Sequence, residues 1–277
     1  ATLWKENRES SKPKSNGQIL AMAANYEIKK GVVDSIKRLP SDHMLRSVLE
    51  PLPAARQEVE TLQKSFNGFF GFDNQATERV FKEKAGAYTV IHLAMHGLLD
   101  SKRPVLSSLA FTEDHNPTET NFLQAHEISK MRLNAELVVL SACETGYGKF
   151  EAGNGIASLA RAFMYAGSAS LVVSLWQVND FATAEIMKHF YSNLAGGMKK
   201  DEALRQAKLT YIEYAEGIAM HPAFWSPFIQ IGNTDSVKIS RKQGNTFYWG
   251  AVLAIIVGLS GFGLLWRRKQ QNRRTEA

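Results

Sequence analysis

The run AELVVLSAC, Ala135 to Cys143, constrains this chain more than any other stretch. Its centre is aliphatic and β-branched with no polar alternation, and a strand of that kind is stable only when both of its faces are covered. Gly146, Gly148, Gly153 and Gly155 follow and predict a flexible turn, after which a helix is expected from about Ile156 to Ala166. A buried strand, a Gly-rich loop and a helix make half of a crossover unit, the connection that parallel strands require.

The same kind of run recurs. YTVIHLAM (Tyr88 to Met95) and SASLVVSLW (Ser168 to Trp176) read as further buried strands. QILAMAAN (Gln18 to Asn25) reads as a first strand, although its pattern also admits a short helix. Leu106 to Thr112 is predicted as a shorter edge strand, and Phe228 to Gly232 as the last one. Between them, Ala54 to Phe66 places Val59, Leu62 and Phe66 at helical spacing among charges. Ala76 to Lys84, Phe181 to Leu194 and Lys200 to Tyr214 are also predicted helical. Strands alternating with helices give an α/β domain with a mostly parallel sheet flanked by helices. The 277 residues, 44% hydrophobic and 22% charged, suit one well-buried core with appendages.

The appendages lie at the two ends. ATLWKENRESSKPKSNG, residues 1–17, is polar and poor in aliphatics and reads as a linker or the remnant of an upstream region. The chain starts at Ala1 without an initiator Met or a signal-like apolar run, so a longer parent protein is expected. Residues 18–235 are assigned to the folded domain and 236–246 to a linker. Residues 247–266, FYWGAVLAIIVGLSGFGLLW, carry no charge. A helix of about 20 residues spans about 30 Å, enough for a bilayer's hydrocarbon core, so this segment is predicted to be a transmembrane helix. Tyr248, Trp249 and Trp266 sit where interfacial aromatics belong. Residues 267–277 form a basic tail: Arg267, Arg268, Lys269, Arg273 and Arg274 follow the span, against Lys238, Arg241 and Lys242 before it. The excess of positive charge after the span favours a cytoplasmic C-terminus and an extracytoplasmic domain. Much of the net charge of +6 belongs to this tail. The body has no basic and aromatic stripe, and a nucleic-acid partner is not expected.

Cys143 is the single cysteine, which rules out an intramolecular disulfide and cysteine-cluster zinc sites. It ends a buried strand, and a residue there stands at the carboxyl edge of a parallel sheet, where open α/β sheets bind ligands. A lone cysteine at such a place is by itself more often an inert buried thiol. His96 follows Tyr88 to Met95 and reaches the same edge if the two strands are parallel neighbours. A thiol nucleophile needs a base that takes its proton and returns it to a leaving amine, and imidazole titrates in the range for both. His92, four residues earlier on the same face, reads as a core histidine.

Four segments in order, IHLAMHG, VVLSACETG, SLVVSLWQVND and HPAFWSPFIQIG, resemble the CHAT domain, a family related to caspases and separases. The resemblance covers about Gln18 to Gly232. It implies a caspase-like fold and a cysteine endopeptidase activity, with His96 as catalytic histidine and Cys143 as nucleophile, His preceding Cys as in caspases. It also implies an oxyanion hole from the N–H groups of Gly97 and Cys143. The family usually has Thr where this chain has Met95, beside the dyad but not part of it. Asp180 of WQVND matches a separase stretch near the pocket for the residue before the scissile bond. There it would bind a substrate Arg or Lys; alternatively Asn179 or Asp180 caps the following helix. His221 of HPAFW matches a structural motif.

Such chemistry requires no metal or organic cofactor. Its partners would be a protein or peptide substrate, the membrane, and an upstream region, in this family often tetratricopeptide repeats, or a regulatory partner. The rival readings are a catalytically silent or latent signalling scaffold at the membrane, and an acyl-transfer enzyme using the same dyad.

Overall fold

A computed structural model of the chain describes residues 16–26, 49–100, 102–114, 120–141, 154–176 and 179–242, with the main chain alone for 154–157. Cys143, the Gly-rich loop, the predicted span 247–266 and the basic tail lie outside the described residues. No helix among the described residues is long and apolar enough to cross a membrane. The chain divides into two units, Ala1–Arg241 and Lys242–Ala277, and the elements below all belong to the first.

Six strands form the main sheet: β1 (Ile19–Ala23), β2 (Gly68–Phe72), β3 (Val90–Ala94), β7 (Leu137–Leu140), β8 (Ser170–Ser174) and β9 (Phe228–Gly232), in the order β2-β1-β3-β7-β8-β9. All neighbours are parallel except β8 and β9. A second, antiparallel sheet holds β4 (Gly97–Leu98), β5 (Ser108–Ala110) and β6 (Phe122–Gln124). Residues 106–112 were expected to form an edge strand, but β5 is the central strand of this small sheet. It pairs with β4 on one side and β6 on the other.

The strands without alternation are the ones buried on both faces. Every residue of β1, β3, β7 and β8 is buried. Leu20, Met22, Ile91, Leu93, Val138, Leu140, Leu171 and Val173 face one side of the sheet. They pack there with Phe81 of α2 (Glu78–Lys84), Ile128 of α3 (Ala125–Ile128), and Leu159 and Phe163 of α4 (Asn154–Ala166). Their alternates Ile19, Ala21, Val90, Leu137, Val139 and Val172 face the other side. These meet Val59 and Leu62 of α1 (Pro53–Ser65), Ile186 and Phe190 of α5 (Asp180–Ala195), and Leu204 of α6 (Lys200–Tyr214). The period of two along each strand therefore divides the core into two layers, with helices covering both.

Sequence pattern does not mark β2. Its GFFGF carries two glycines, and a Cβ on Gly68 would lie 1.9 Å from the carbonyl oxygen of Ile19, so only glycine lets this strand lie against β1. At the other edge, β9 closes the sheet. Its turn is tied to the end of β8 by the Trp176 indole N–H, which donates to the Ala223 carbonyl at 3.1 Å, and by the Leu175 N–H, which donates to the Pro227 carbonyl at 3.0 Å. The HPAFW segment is thus a clasp between β8 and β9. Within it the His221 Nδ1 accepts from the Ala223 N–H.

Candidate active site

The parallel strands β1, β3, β7 and β8 end at one rim of the sheet, and His96 and Ser141 follow two of them there. His96 lies two residues beyond β3 and is 1% exposed. Its Nε2 is 2.8 Å from the carbonyl oxygen of Glu50, in the segment leading into α1. A carbonyl only accepts, so Nε2 carries the proton, and in the neutral ring Nδ1 holds the lone pair. That Nδ1 is buried and has no hydrogen-bond partner among the described residues. Burial lowers the His96 pKa below the ordinary imidazole value, and the Glu50 carbonyl opposes part of the shift. At neutral pH the ring is therefore an uncharged base with one nitrogen fixed and the other available.

The main chain of His96 is also held. Its N–H donates to the Tyr26 hydroxyl at 2.9 Å, and its carbonyl accepts from the Ala110 N–H at 2.9 Å. The second bond makes Gly97 and Leu109 a non-hydrogen-bonded pair of the β4–β5 ladder, so that ladder leaves the Gly97 N–H unused. Among the described residues, a Cβ on Gly97 would make one ordinary contact, 3.8 Å from the Leu159 side chain.

A small cleft lies between the rim and the N-terminal ends of α1 and α5, lined by the two residues that precede His96 but not by His96 itself. Leu52, Ala55, Ala94 and Met95 form its apolar wall, and Glu58, Ser141, Asp180 and Thr183 its polar one. Met95, where the resembled family usually has Thr, is fully buried in this wall. Asp180 is the first residue of α5 and half-buried. The cap is Asn179, whose side chain accepts from the N–H groups of Phe181 and Ala182. Asp180 therefore does not cap α5; it lines the cleft and its carboxylate meets the first turn of α1. Burial and then the nearby Glu58 raise its pKa, while a hydrogen bond from the Ala54 N–H acts the other way. Thr183, 3% exposed, lines the same wall, its hydroxyl without a hydrogen-bond partner among the described residues.

Beneath the cleft lies a cluster that sequence reading recognised only in part. His92 is fully buried on β3, as a core histidine should be. Its Nδ1 is 3.1 Å from the Tyr191 hydroxyl, and its Nε2 is 3.1 Å from Glu58 Oε1 and 3.5 Å from Ser141 Oγ. The Glu58 contact is close enough for an ion pair but lacks hydrogen-bond geometry, and among the described residues Oε1 has no hydrogen-bond partner. Burial, then Glu58, push the Tyr191 hydroxyl well above its ordinary pKa, which keeps it protonated as a donor to Nδ1. Glu58 had a legible signal: with Ala55, Val59 and Leu62 it occupies the buried stripe of α1, where a carboxylate needs a partner. Tyr26 and Glu50 had none, because their roles depend on which strand end each one meets.

The structure thus brings His96, Gly97 and Asp180 to one rim, while Cys143 is outside the described residues. The CHAT domain family model matches residues 2–233. Tetratricopeptide repeat protein 28 of Mus musculus is 32% identical over 137 residues, half of this chain and 5% of that protein. Its Homo sapiens counterpart is 32% identical over 130 residues, 47% of this chain and again 5% of its length. The chain therefore corresponds to a small part of these relatives. Among solved structures, gingipain R, an Arg-specific cysteine proteinase, aligns over 81% of this chain and 48% of its own at 11% identity, with a TM-score of 0.46. A family match that runs through every strand of both sheets leaves one assignment: this chain belongs to the CHAT domain family.

Proposed function

We propose that this chain is a cysteine endopeptidase of the CHAT type, with a caspase-like fold, that hydrolyses a protein substrate through a His96–Cys143 dyad. The observation that carries the reading is a register. Val90 pairs with Leu137 and Leu93 with Leu140 across the parallel β3–β7 ladder, a constant offset of 47 positions. His96 and Cys143 are separated by the same 47 positions in the chain. The last pair of this ladder is closed by the Ser141 N–H, which donates to the Leu93 carbonyl three residues before His96. The matching offset supports a thiol and an imidazole on neighbouring strand ends, and the unpaired Nδ1 of His96 supports the imidazole as its base.

In this reading the Cys143 thiol gives its proton to His96 Nδ1 as sulfur attacks the peptide carbonyl carbon. The N–H groups of Gly97 and Cys143 receive the oxyanion. Collapse breaks the C–N bond, His96 protonates the departing amine, and a water that gives its proton to His96 releases the acid and regenerates the thiol. Asp180 binds the side chain preceding the cut. Its charge is disfavoured by burial and by Glu58, and a substrate Lys or Arg would relieve both. The membrane attachment through residues 247–266 rests on hydropathy and flanking charge, with the domain on the extracytoplasmic side. Relatives named for tetratricopeptide repeats support an upstream repeat region as recruiting or regulatory arm.

The test is cleavage of a positional-scanning peptide library by the wild type and by Cys143→Ala. Cleavage by the wild type alone is expected, with Arg or Lys preferred before the cut. Equal rates for both proteins would exclude the dyad, and no cleavage together with no labelling by peptide electrophiles would favour a scaffold.

A further inference from the structure

Tyr26 follows β1 and is buried, with no part in the proposed bond-making. Its hydroxyl accepts from the His96 N–H at 2.9 Å and donates to the Ala110 carbonyl at 2.6 Å. The Ala110 N–H in turn donates to the His96 carbonyl at 2.9 Å. Three strand ends, β1, β3 and β5, are thus joined in a closed ring of hydrogen bonds around the main chain of one residue. The Tyr26 ring also covers the imidazole, with centroids 4.8 Å apart and a tilt of 48°. The other side of the hold is the Glu50 carbonyl on Nε2.

We infer that Tyr26 is a positioning residue for His96, its hydroxyl fixing the histidine's main chain and its ring covering the imidazole, so that base and oxyanion donor stay in one mutual geometry. The inference rests on the dyad reading above. The Gly97 N–H belongs to the peptide unit whose carbonyl oxygen, that of His96, Ala110 holds, so the ring of bonds that orients the base also orients the proposed oxyanion donor. Catalytic groups must be kept within about 0.5 Å of their working arrangement. A rotamer held only by its own χ angles does not meet that requirement, and a main chain tied on both sides with a covered ring does. The hydroxyl is saturated here in both directions, so phenylalanine, equal in shape, would leave two buried main-chain groups unpaired. Ring cover and hydroxyl clamp can therefore be separated: Tyr26→Phe removes the second only, and Tyr26→Ala removes both.

The experiment uses the full chain and its single cysteine, so that every alkylation event reports Cys143. Rates of iodoacetamide alkylation are measured against pH for wild type, His96→Ala, Tyr26→Phe and Tyr26→Ala, with thermal melts confirming the fold of each. In the wild type, alkylation at neutral pH is expected to run about tenfold or more above His96→Ala. Tyr26→Phe is expected to fall between them and Tyr26→Ala close to His96→Ala. On a cleaved peptide, Tyr26→Phe should lose about tenfold in kcat with KM unchanged, because Tyr26 is not placed to touch substrate. Identical profiles for wild type and His96→Ala would overturn the dyad reading, whatever the tyrosine variants do. A displaced His96→Ala profile with both tyrosine variants on the wild-type curve would overturn the positioning role alone. If Tyr26→Ala fails to fold, Tyr26→Phe decides. A titration of the His96 ring by NMR on histidine-labelled protein provides a readout independent of reactivity. Its pKa should rise toward the ordinary imidazole value in Tyr26→Ala, where cover is lost, and a ring that titrates as in the wild type would also overturn the inference.

Discussion

His96 Nε2 lies 2.8 Å from the main-chain oxygen of Glu50, and that single contact decides which imidazole nitrogen is left to act. The acceptor is a carbonyl of the backbone, so this hydrogen bond does not need the exposed Glu50 side chain, whose charge only raises the His96 pKa against the effect of burial. Glu50→Ala should keep peptidase activity within about twofold. His96→Ala should lose about 10²- to 10⁴-fold, the range of a general base. Steady-state kinetics on one cleaved peptide compares the two, and a large loss in Glu50→Ala would show that its carboxylate matters.

The His96 pKa is lowered by burial, so its contribution to stability has a definite sign. The folded protein resists protonation there more than the unfolded chain does. That contribution is present above about pH 6.5, the ordinary imidazole value, and is lost as pH falls through the lowered one. Denaturant titrations of wild type and His96→Gln between pH 7.5 and pH 5 should show the wild type losing more stability on acidification than the variant.

Asp180 has the opposite linkage. Its pKa is raised, so the folded state favours the protonated carboxyl. Stability from this source is complete below the ordinary carboxylate value near 3.8 and is lost as pH rises through the raised one. Asp180→Asn retains an acceptor for the Ala54 N–H without the charge. It should melt at a higher temperature than wild type at pH 7, with the gap closing near pH 3.5, while losing any preference for Lys or Arg substrates. A variant less stable at pH 7 would contradict the electrostatic account.

The His92, Glu58 and Tyr191 cluster predicts graded losses in stability. Tyr191→Phe removes one hydrogen bond to His92 Nδ1 and should cost about 1 kcal/mol. His92→Ala leaves the buried Tyr191 hydroxyl and Glu58 carboxyl without that partner and opens a cavity, a change of about 3 kcal/mol or more. Equilibrium urea unfolding measures both. Equal effects would mean that the hydroxyl alone holds the cluster together.

Gly97 is proposed to act through its N–H, and among the described residues a methyl group there meets only the Leu159 side chain, at 3.8 Å. Gly97→Ala should therefore fold normally, with stability within about 0.5 kcal/mol of wild type, and retain activity within about tenfold. A loss near the 10²- to 10³-fold expected for a missing oxyanion donor would mean that substrate passes too close to this position for a side chain.

The layered architecture was readable before any coordinates because it is imposed by periodicity along the chain. VIHLA, LVVL and SLVVS have no polar face to offer water, so they had to become inner strands of a covered sheet. The helix over Lys200 to Tyr214 was expected with the bounds observed. Placing His96 at a strand end was local too, since Gly97 and the end of the apolar run are sequence facts. The pattern missed β2, because two glycines hide its strand character, and β4 and β6, which are short and gain their stability from pairing with β5.

What depends on folding is the set of partners. That Tyr26 meets His96 70 positions away, that Glu58 lies under Asp180, and that Asn179 rather than Asp180 caps α5 follow from strand order and helix docking. Periodicity assigns a residue to a face or an end, but hydrogen bonds and pKa shifts depend on distances of a few ångströms across elements. Those distances are set by packing, which no local stretch of chain encodes.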